Sequence, residues 1–205
     1  MSPIEAHADT AVLATEADLD ALATMLARAF HRDGLTKWIC PDEQRRAEIL
    51  PDFFQIFLEV SLGYDSVYTN TSRDTALLFL PPGAWHEVER GGVALSQRFA
   101  QILAADEMER MATISGLQAV HHPMGRPHYY ISFGGVDPDH QRHGAISVLG
   151  DALLKRADDE EMATYTEASS AGGTFAALRW GFVEVGVRID IPDGPSLRPM
   201  WREPR

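Results

Sequence analysis

The stretch from His128 to Gly150, HYYISFGGVDPDHQRHGAISVLG, holds the residues whose types and order most readily do chemistry. Tyr129, Tyr130, Ile131 and Phe133 are aromatic or β-branched and predict a buried strand; Gly134 and Gly135 leave its end open to close approach by another group. Pro138 cannot donate to a ladder, so pairing stops there, and the pattern predicts a helix opening at Gln141-Arg142-His143-Gly144. The first turn of a helix carries unpaired N–H groups and a partial charge of roughly +0.5, which together seat a phosphate or pyrophosphate. Arg142 adds a full charge.

A second chemistry to weigh is metal binding. His140 and His143 are three apart, and His121 and His122 are adjacent. No nearby cysteine completes a zinc spacing, and the His140-x-x-His143 pair straddles a loop-to-helix boundary, so no metal ligand is assigned. His128 opens the central strand, where packing or a hydrogen bond at the strand's start competes with a role as a base.

The loop Gln141-Arg142-His143-Gly144-Ala145-Ile146 resembles the pyrophosphate loop of the GNAT superfamily of acyl-CoA-dependent N-acetyltransferases, Gln/Arg-x-x-Gly-x-Gly/Ala. The resemblance extends through Val136-Asp137-Pro138-Asp139-His140 before the loop and Glu167, Gly181-Phe182 and Met200-Trp201 after it, and is nearest to the puromycin N-acetyltransferase-like group. It implies an α/β fold: a mixed, mostly antiparallel sheet splayed at the central strand, with helices on both faces. It also implies that acetyl-CoA, as co-substrate and without a metal, is held by Gly134, Gly135 and Val136 and by Gln141, Arg142, His143, Gly144, Ala145, Ile146 and Ser147. The implied reaction transfers an acetyl group to an amine of a small molecule, such as an antibiotic or other natural product.

Within that resemblance Glu167 is the general-base candidate, an ordinary structural hydrogen bond being the alternative. Three positions depart from the family pattern. Ile146 stands at a small-residue position, Gly173 replaces the family's asparagine, and Ala177 replaces the tyrosine that usually protonates the departing thiolate. The tyrosine's role therefore does not carry over. Ser169 and Ser170 bear hydroxyls near the same strand end, fit either to relay that proton through water or to cap the next helix. A non-catalytic acyl-CoA-binding protein of the same fold is the alternative reading.

Composition limits the choices further. With 205 residues and 45% hydrophobic content, the chain suits one sizeable core and one domain. A formal charge of −12 opposes non-specific binding to nucleic acid and suits a cationic small molecule. No run approaches the roughly 18 apolar residues of a membrane span, and the N-terminus lacks the order of a signal peptide, so a cytoplasmic monomer or homodimer without a membrane partner is expected. The single cysteine, Cys40, reads as a small buried hydrophobe.

The elements that must position this chemistry follow from periodicity. Thr15 to Asp18 reads as a capping box ahead of a helix with Leu19, Leu22, Leu26 and Phe30 on one face. Gly34 and Pro41 make residues 32 to 42 an irregular loop, and Pro51 divides the following helical pattern in two. Residues 66–70 and 75–80 read as paired strands. Residues 84 to 122 form a helical insertion that, by the resemblance, walls the acceptor site. The acidic run Asp158 to Glu161 ends the helix after the loop and is expected to be solvated.

Overall fold

The computed structural model describes residues 10–141 and 144–205. Arg142 and His143, two of the expected pyrophosphate contacts, lie outside the described residues.

A short strand, β1 (Val12–Leu13), leads into a 3-10 turn closed by Thr15 and Asp18, whose carboxylate accepts both the Thr15 amide and hydroxyl. Helix α1 (Leu19–Phe30) follows and buries Leu22, Met25 and Leu26. The segment read as irregular contains helix α2 (Gly34–Ile39), because the Asp33 carboxylate caps its first turn by accepting the Leu35 amide at 2.8 Å. Helix α3 (Glu43–Leu62) runs unbroken through Pro51. Buried Ile49 and Leu50 before the proline and Phe53, Phe54 and Leu58 after it belong to one core cluster, so common packing outweighs the missing hydrogen bond.

Strands β2 (Val67–Thr69) and β3 (Thr75–Leu80) pair antiparallel, and helices α4 (Ala84–Arg90), α5 (Gly92–Phe99) and α6 (Ala105–His121) intervene before β4 (His128–Val136). Helix α7 (Ala145–Asp159), β5 (Ala163–Ala168) and α8 (Ala171–Arg179) follow, then β6 (Val183–Glu184), β7 (Ile189–Asp190) and β8 (Ser196–Arg202). The sheet order is β1-β2-β3-β4-β5-β8-β6, with β7 beside β8. Only β4 and β5 run parallel among these pairs.

Both faces of the sheet are covered, as alternation along β3 shows: Ala76 and Leu78 join the core with α1 and α3, whereas Leu77 and Phe79 join the core with α7. The acidic run at the C-terminal end of α7 is not merely solvated. Asp158 holds the buried Arg202 through two bonds of 2.7 and 2.8 Å, and Glu160 accepts the Tyr129 hydroxyl. No helix among the described residues is long and apolar enough to cross a membrane.

Candidate active site

The site begins where the sheet comes apart. β4 pairs with β5 from His128 with Ala163 to Ile131 with Thr166 and no further; β4 then continues against β3 to Val136, and β5 against β8 to Ala168. Beyond Ile131 the two parallel strands are therefore splayed. The β3–β4 register shifts at the same point: Leu78 faces Phe133 and Phe79 faces Ile131, leaving Ser132 as an extra residue. Such a bulge bends its strand and increases its twist, which turns the end of β4 away from β5. The Ser132 hydroxyl fastens the bulge to the Leu78 carbonyl at 3.2 Å, and the Thr166 hydroxyl covers the Ile131 carbonyl at 3.0 Å.

Gly134 and Gly135 lie in the splayed part of β4 and remain paired to Leu77 and Ala76, so the strand's end is open on one edge rather than on both. Alternate N–H groups from Ser132 to Val136 point away from β3, towards an edge where no strand pairs among the described residues. Glycine suits position 135, since an added Cβ would stand 2.8 Å from Leu26 and 3.1 Å from Phe30 of α1, and their side chains would have to shift to admit it. At 134 an added Cβ would stand 3.3 Å from Leu77 and 3.5 Å from Ile146. Ile146 thus turns inward onto the sheet, joining the core beneath α7.

The loop from β4 to α7 is held from two sides. Arg28 of α1 bridges Asp137 and Asp139 at 2.9 and 2.7 Å, and the Asp137 amide donates to the Asp74 carbonyl. A 3-10 turn, Pro138–His140, comes next, and α7 starts at Ala145 rather than at Gln141. The reason is Gly144, whose φ of 83° is left-handed and non-helical and makes it the cap. Gln141, Gly144, Ala145 and Ser147 are thereby gathered at or just before the first turn of α7.

A cavity of about 610 Å³ opens from the splay into the helical layer. Phe57, Phe99 and Phe133 form much of its wall, with neighbouring ring centroids 4.8 to 5.3 Å apart, and Met108 and Met111 of α6 extend it. It also reaches Ile146, Gly173, Ala177 and Trp180, so it spans from the insertion to the cleft between α7 and α8. Ala177 is only 3% exposed and belongs with Phe182 to the core under α7, where it also borders the cavity.

Glu167 is the first residue of β5 past the splay and lines this cavity. Its Oε2 accepts the Gln118 amide at 2.7 Å and the Tyr130 hydroxyl at 2.9 Å, and its Oε1 accepts the Tyr165 hydroxyl at 2.9 Å. Burial pushes its carboxyl above the usual carboxylate range, while these three donors pull in the opposite direction. Glu167 thus makes the structural hydrogen bonds that one reading of its sequence position expects, and it also lines the cavity at the splay.

The two serines part company. Ser170 caps α8, its hydroxyl oxygen accepting the Gly173 amide at 3.1 Å. Ser169 donates instead to Asp33 at 3.2 Å, across 136 residues of chain. Asp33, Gln118, Tyr130 and Tyr165 are absent from the sequence-based candidates. For Asp33 a signal existed, because aspartate before Gly34-Leu35 is a helix cap, and Tyr165 stands two residues before Glu167 on the same strand; for Gln118 and Tyr130, nothing local marks a partner 49 and 37 residues away.

The histidines divide similarly. His128 Nδ1 lies 2.7 Å from the Arg126 carbonyl, so it carries the proton, and its Nε2 accepts from His122 Nε2 at 3.1 Å. His122 stacks on Trp85 at 4.0 Å, and its Nδ1 is buried without a hydrogen bond. Neither ring lines the cavity. Among the described residues no cluster of three or more histidine, cysteine or acidic side chains is arranged to hold a metal. Cys40 is buried, and burial pushes its thiol up to about 11.

No protein-family profile matches the chain. Its backbone does match solved acetyltransferases. A Corynebacterium glutamicum protein described as histone acetyltransferase HPA2 and related acetyltransferase is 24% identical, with a TM-score of 0.70 over 96% of this chain and 97% of that one. An agmatine N-acetyltransferase mutant in its apo form is 14% identical, with a TM-score of 0.64 over 95% and 99%. Arylalkylamine N-acetyltransferase 2 from Aedes aegypti is 15% identical, with a TM-score of 0.62 over 96% and 99%. At these identities the likeness establishes the fold. The chain is folded as these acetyltransferases are, in the GNAT arrangement expected from its central loop.

Proposed function

We propose that this protein transfers an acetyl group from acetyl-CoA to an amine of a small molecule, an antibiotic or other natural product among the candidates. The observation that carries this reading is the parting of β4 and β5 beyond Ile131 and Thr166, with Glu167 at its mouth and a cavity on one side. The residues present fit the co-substrate: the cavity continues past Ile146 and Gly173 between α7 and α8, and the free edge of β4 offers N–H donors along the way. Backbone amides of Gly144, Ala145 and Ile146 at the start of α7, with Ser147, Gln141, Arg142 and His143, would receive the pyrophosphate.

Bound acetyl-CoA supplies a thioester carbonyl, and the chain supplies the rest. Glu167 takes a proton from the incoming ammonium, freeing the nitrogen lone pair to form the new C–N bond. N–H groups of the splayed β4, in the Gly134 to Val136 segment, stabilise charge on the carbonyl oxygen as the C–S bond breaks. With Ala177 in the tyrosine's place, the second proton, lost by the nitrogen once the C–N bond has formed, passes through water and the hydroxyl of Ser169 or Ser170 to the leaving thiolate. A thiol of pKa about 8.5 leaves tolerably near neutrality, so the lost tyrosine slows the step without forbidding it.

In this reading residues 1–205 act as one domain of the puromycin N-acetyltransferase-like kind, working in the cytoplasm as a monomer or homodimer. The 84–122 helices wall the acceptor site. The test is release of CoA thiol on mixing the protein with acetyl-CoA and a panel of primary amines. Amine-dependent release above the protein-free rate is expected, and CoA binding without release across the panel would leave a non-catalytic acyl-CoA binder.

A further inference from the structure

We infer that the amine accepted here is a single cation on an apolar, ring-sized body, and that Asp33 is the residue that reads its charge. This rests on the reading that the cavity receives the amine.

Every charged side chain lining the cavity among the described residues is acidic: Asp33, Glu89 and Glu167. None of the three lies within ion-pair distance of a lysine, arginine or histidine among those residues. A carboxylate in an apolar wall without a cation is costly, and an arriving ammonium group relieves that cost. The three are not equivalent. Glu167 already accepts three donors, and Glu89 is exposed, where solvent screens its charge. Asp33 accepts backbone amides of its own helix turn, Leu35 foremost with Thr36 and Gly34 behind it, and a single side-chain donor among those residues, the Ser169 hydroxyl, against three on Glu167, so its carboxylate can still accept an ammonium N–H.

Its position also suits the role. Ser169 stands two residues beyond Glu167, just past the end of β5, and Glu167, Ser169 and its partner Asp33 all line the same cavity. An ammonium drawn to Asp33 is therefore held in the cavity that Glu167, the group that must deprotonate it, also lines. Past that point the wall is Phe53, Phe57, Phe99 and Phe133 with Met108 and Met111. A second positive charge on the substrate would have to be buried among these rings; a phenyl group is favoured there by both area and edge contacts.

Two measurements test this, both with CoA saturating. Calorimetry compares 4-phenylbutylamine with 4-phenylbutanol, which differ in charge, on the native protein and on Asp33→Asn and Asp33→Ser. Both replacements keep a helix-capping side chain, and thermal melts confirm folding. The amine is expected to lose at least about tenfold in affinity in both variants and the alcohol less than about twofold, as befits loss of a charge-assisted contact. Equal loss for both compounds, or none for the amine, overturns the assignment. Acetyl transfer rates then compare 4-phenylbutylamine with agmatine and spermidine, and kcat/KM is expected to favour the monoamine at least about tenfold. Preference for the dications overturns the substrate class while leaving acetyl transfer intact. Charge-selective binding without transfer to any amine upholds Asp33 and overturns transfer.

Discussion

Glu167→Gln is expected to lower kcat by about 10² to 10⁴, the usual worth of a positioned proton acceptor, while CoA affinity stays within about twofold. The replacement is isosteric. Its amide oxygen can face Gln118 and Tyr130, and its NH2 can face a Tyr165 hydroxyl that rotates to accept, so the contacts around it persist. A fall of that size with the fold retained therefore reports lost basicity rather than lost structure. The pH profile supplies a finer check. Because burial raises the Glu167 carboxyl above its ordinary 4.5, the acid limb of kcat/KM should lie above that value. Tyr130→Phe removes a donor that holds this pKa down, so the limb should move further towards neutral pH. An unchanged kcat in Glu167→Gln, or a limb that moves to lower pH in Tyr130→Phe, would take the base role away from Glu167.

The second large effect concerns stability in mild acid. His122 is pushed down to about 3, first by burial and then by the neighbouring His128 and His86, and burial also lowers His128. A depressed folded-state pKa means that the unfolded chain binds protons first, so stability is complete above about pH 6.5 and is lost as pH falls below it. At pH 5.5 His122 alone costs on the order of 1 kcal/mol, which lowers the melting temperature of a chain this size by roughly 2 to 4 °C; His128 adds in the same direction. The carboxylates lowered by their partners, Asp18, Asp74 and Asp158 among them, act only at more acid pH. His122→Phe keeps a ring on Trp85 and should flatten the dependence between pH 7.5 and 5.5. A native protein whose melting temperature is level across that range would show that the pair is not held neutral.

Much of this was legible in the chain because the informative residues are neighbours. The strand, the Asp-Pro turn and the helix between His128 and Gly150 announce themselves through β-branching, proline and glycine, and Glu167 follows from the same resemblance. What escaped depends on distance or on competing terms. Gly34 and Pro41 both argue for a loop, yet one aspartate cap and the burial of Thr36 and Ile39 suffice for the short α2. Pro51 argues for a break, yet packing on both sides holds α3 together. The donors that surround Glu167 come from α6, β4 and β5, up to 49 residues away in the chain, and only the folded sheet brings them to one carboxylate. The start of α7 was placed too early because left-handed Gly144 interrupts the helical pattern just where the phosphate seat was expected.

That seat can be measured directly by titrating CoA calorimetrically into the native protein, Gly144→Ala and Gly144→Glu. Both variants carry the same left-handed strain at an exposed position with no heavy atom near the new Cβ, so they differ chiefly in charge and length. The native protein should bind CoA, Gly144→Ala should follow within a few-fold, and Gly144→Glu should bind at least about tenfold more weakly, a loss of roughly 1.4 kcal/mol. Absence of binding to the native protein at millimolar CoA, or equal affinity in a well-folded Gly144→Glu, would contradict the assignment of the splayed strands and the first turn of α7 as the acyl-CoA site.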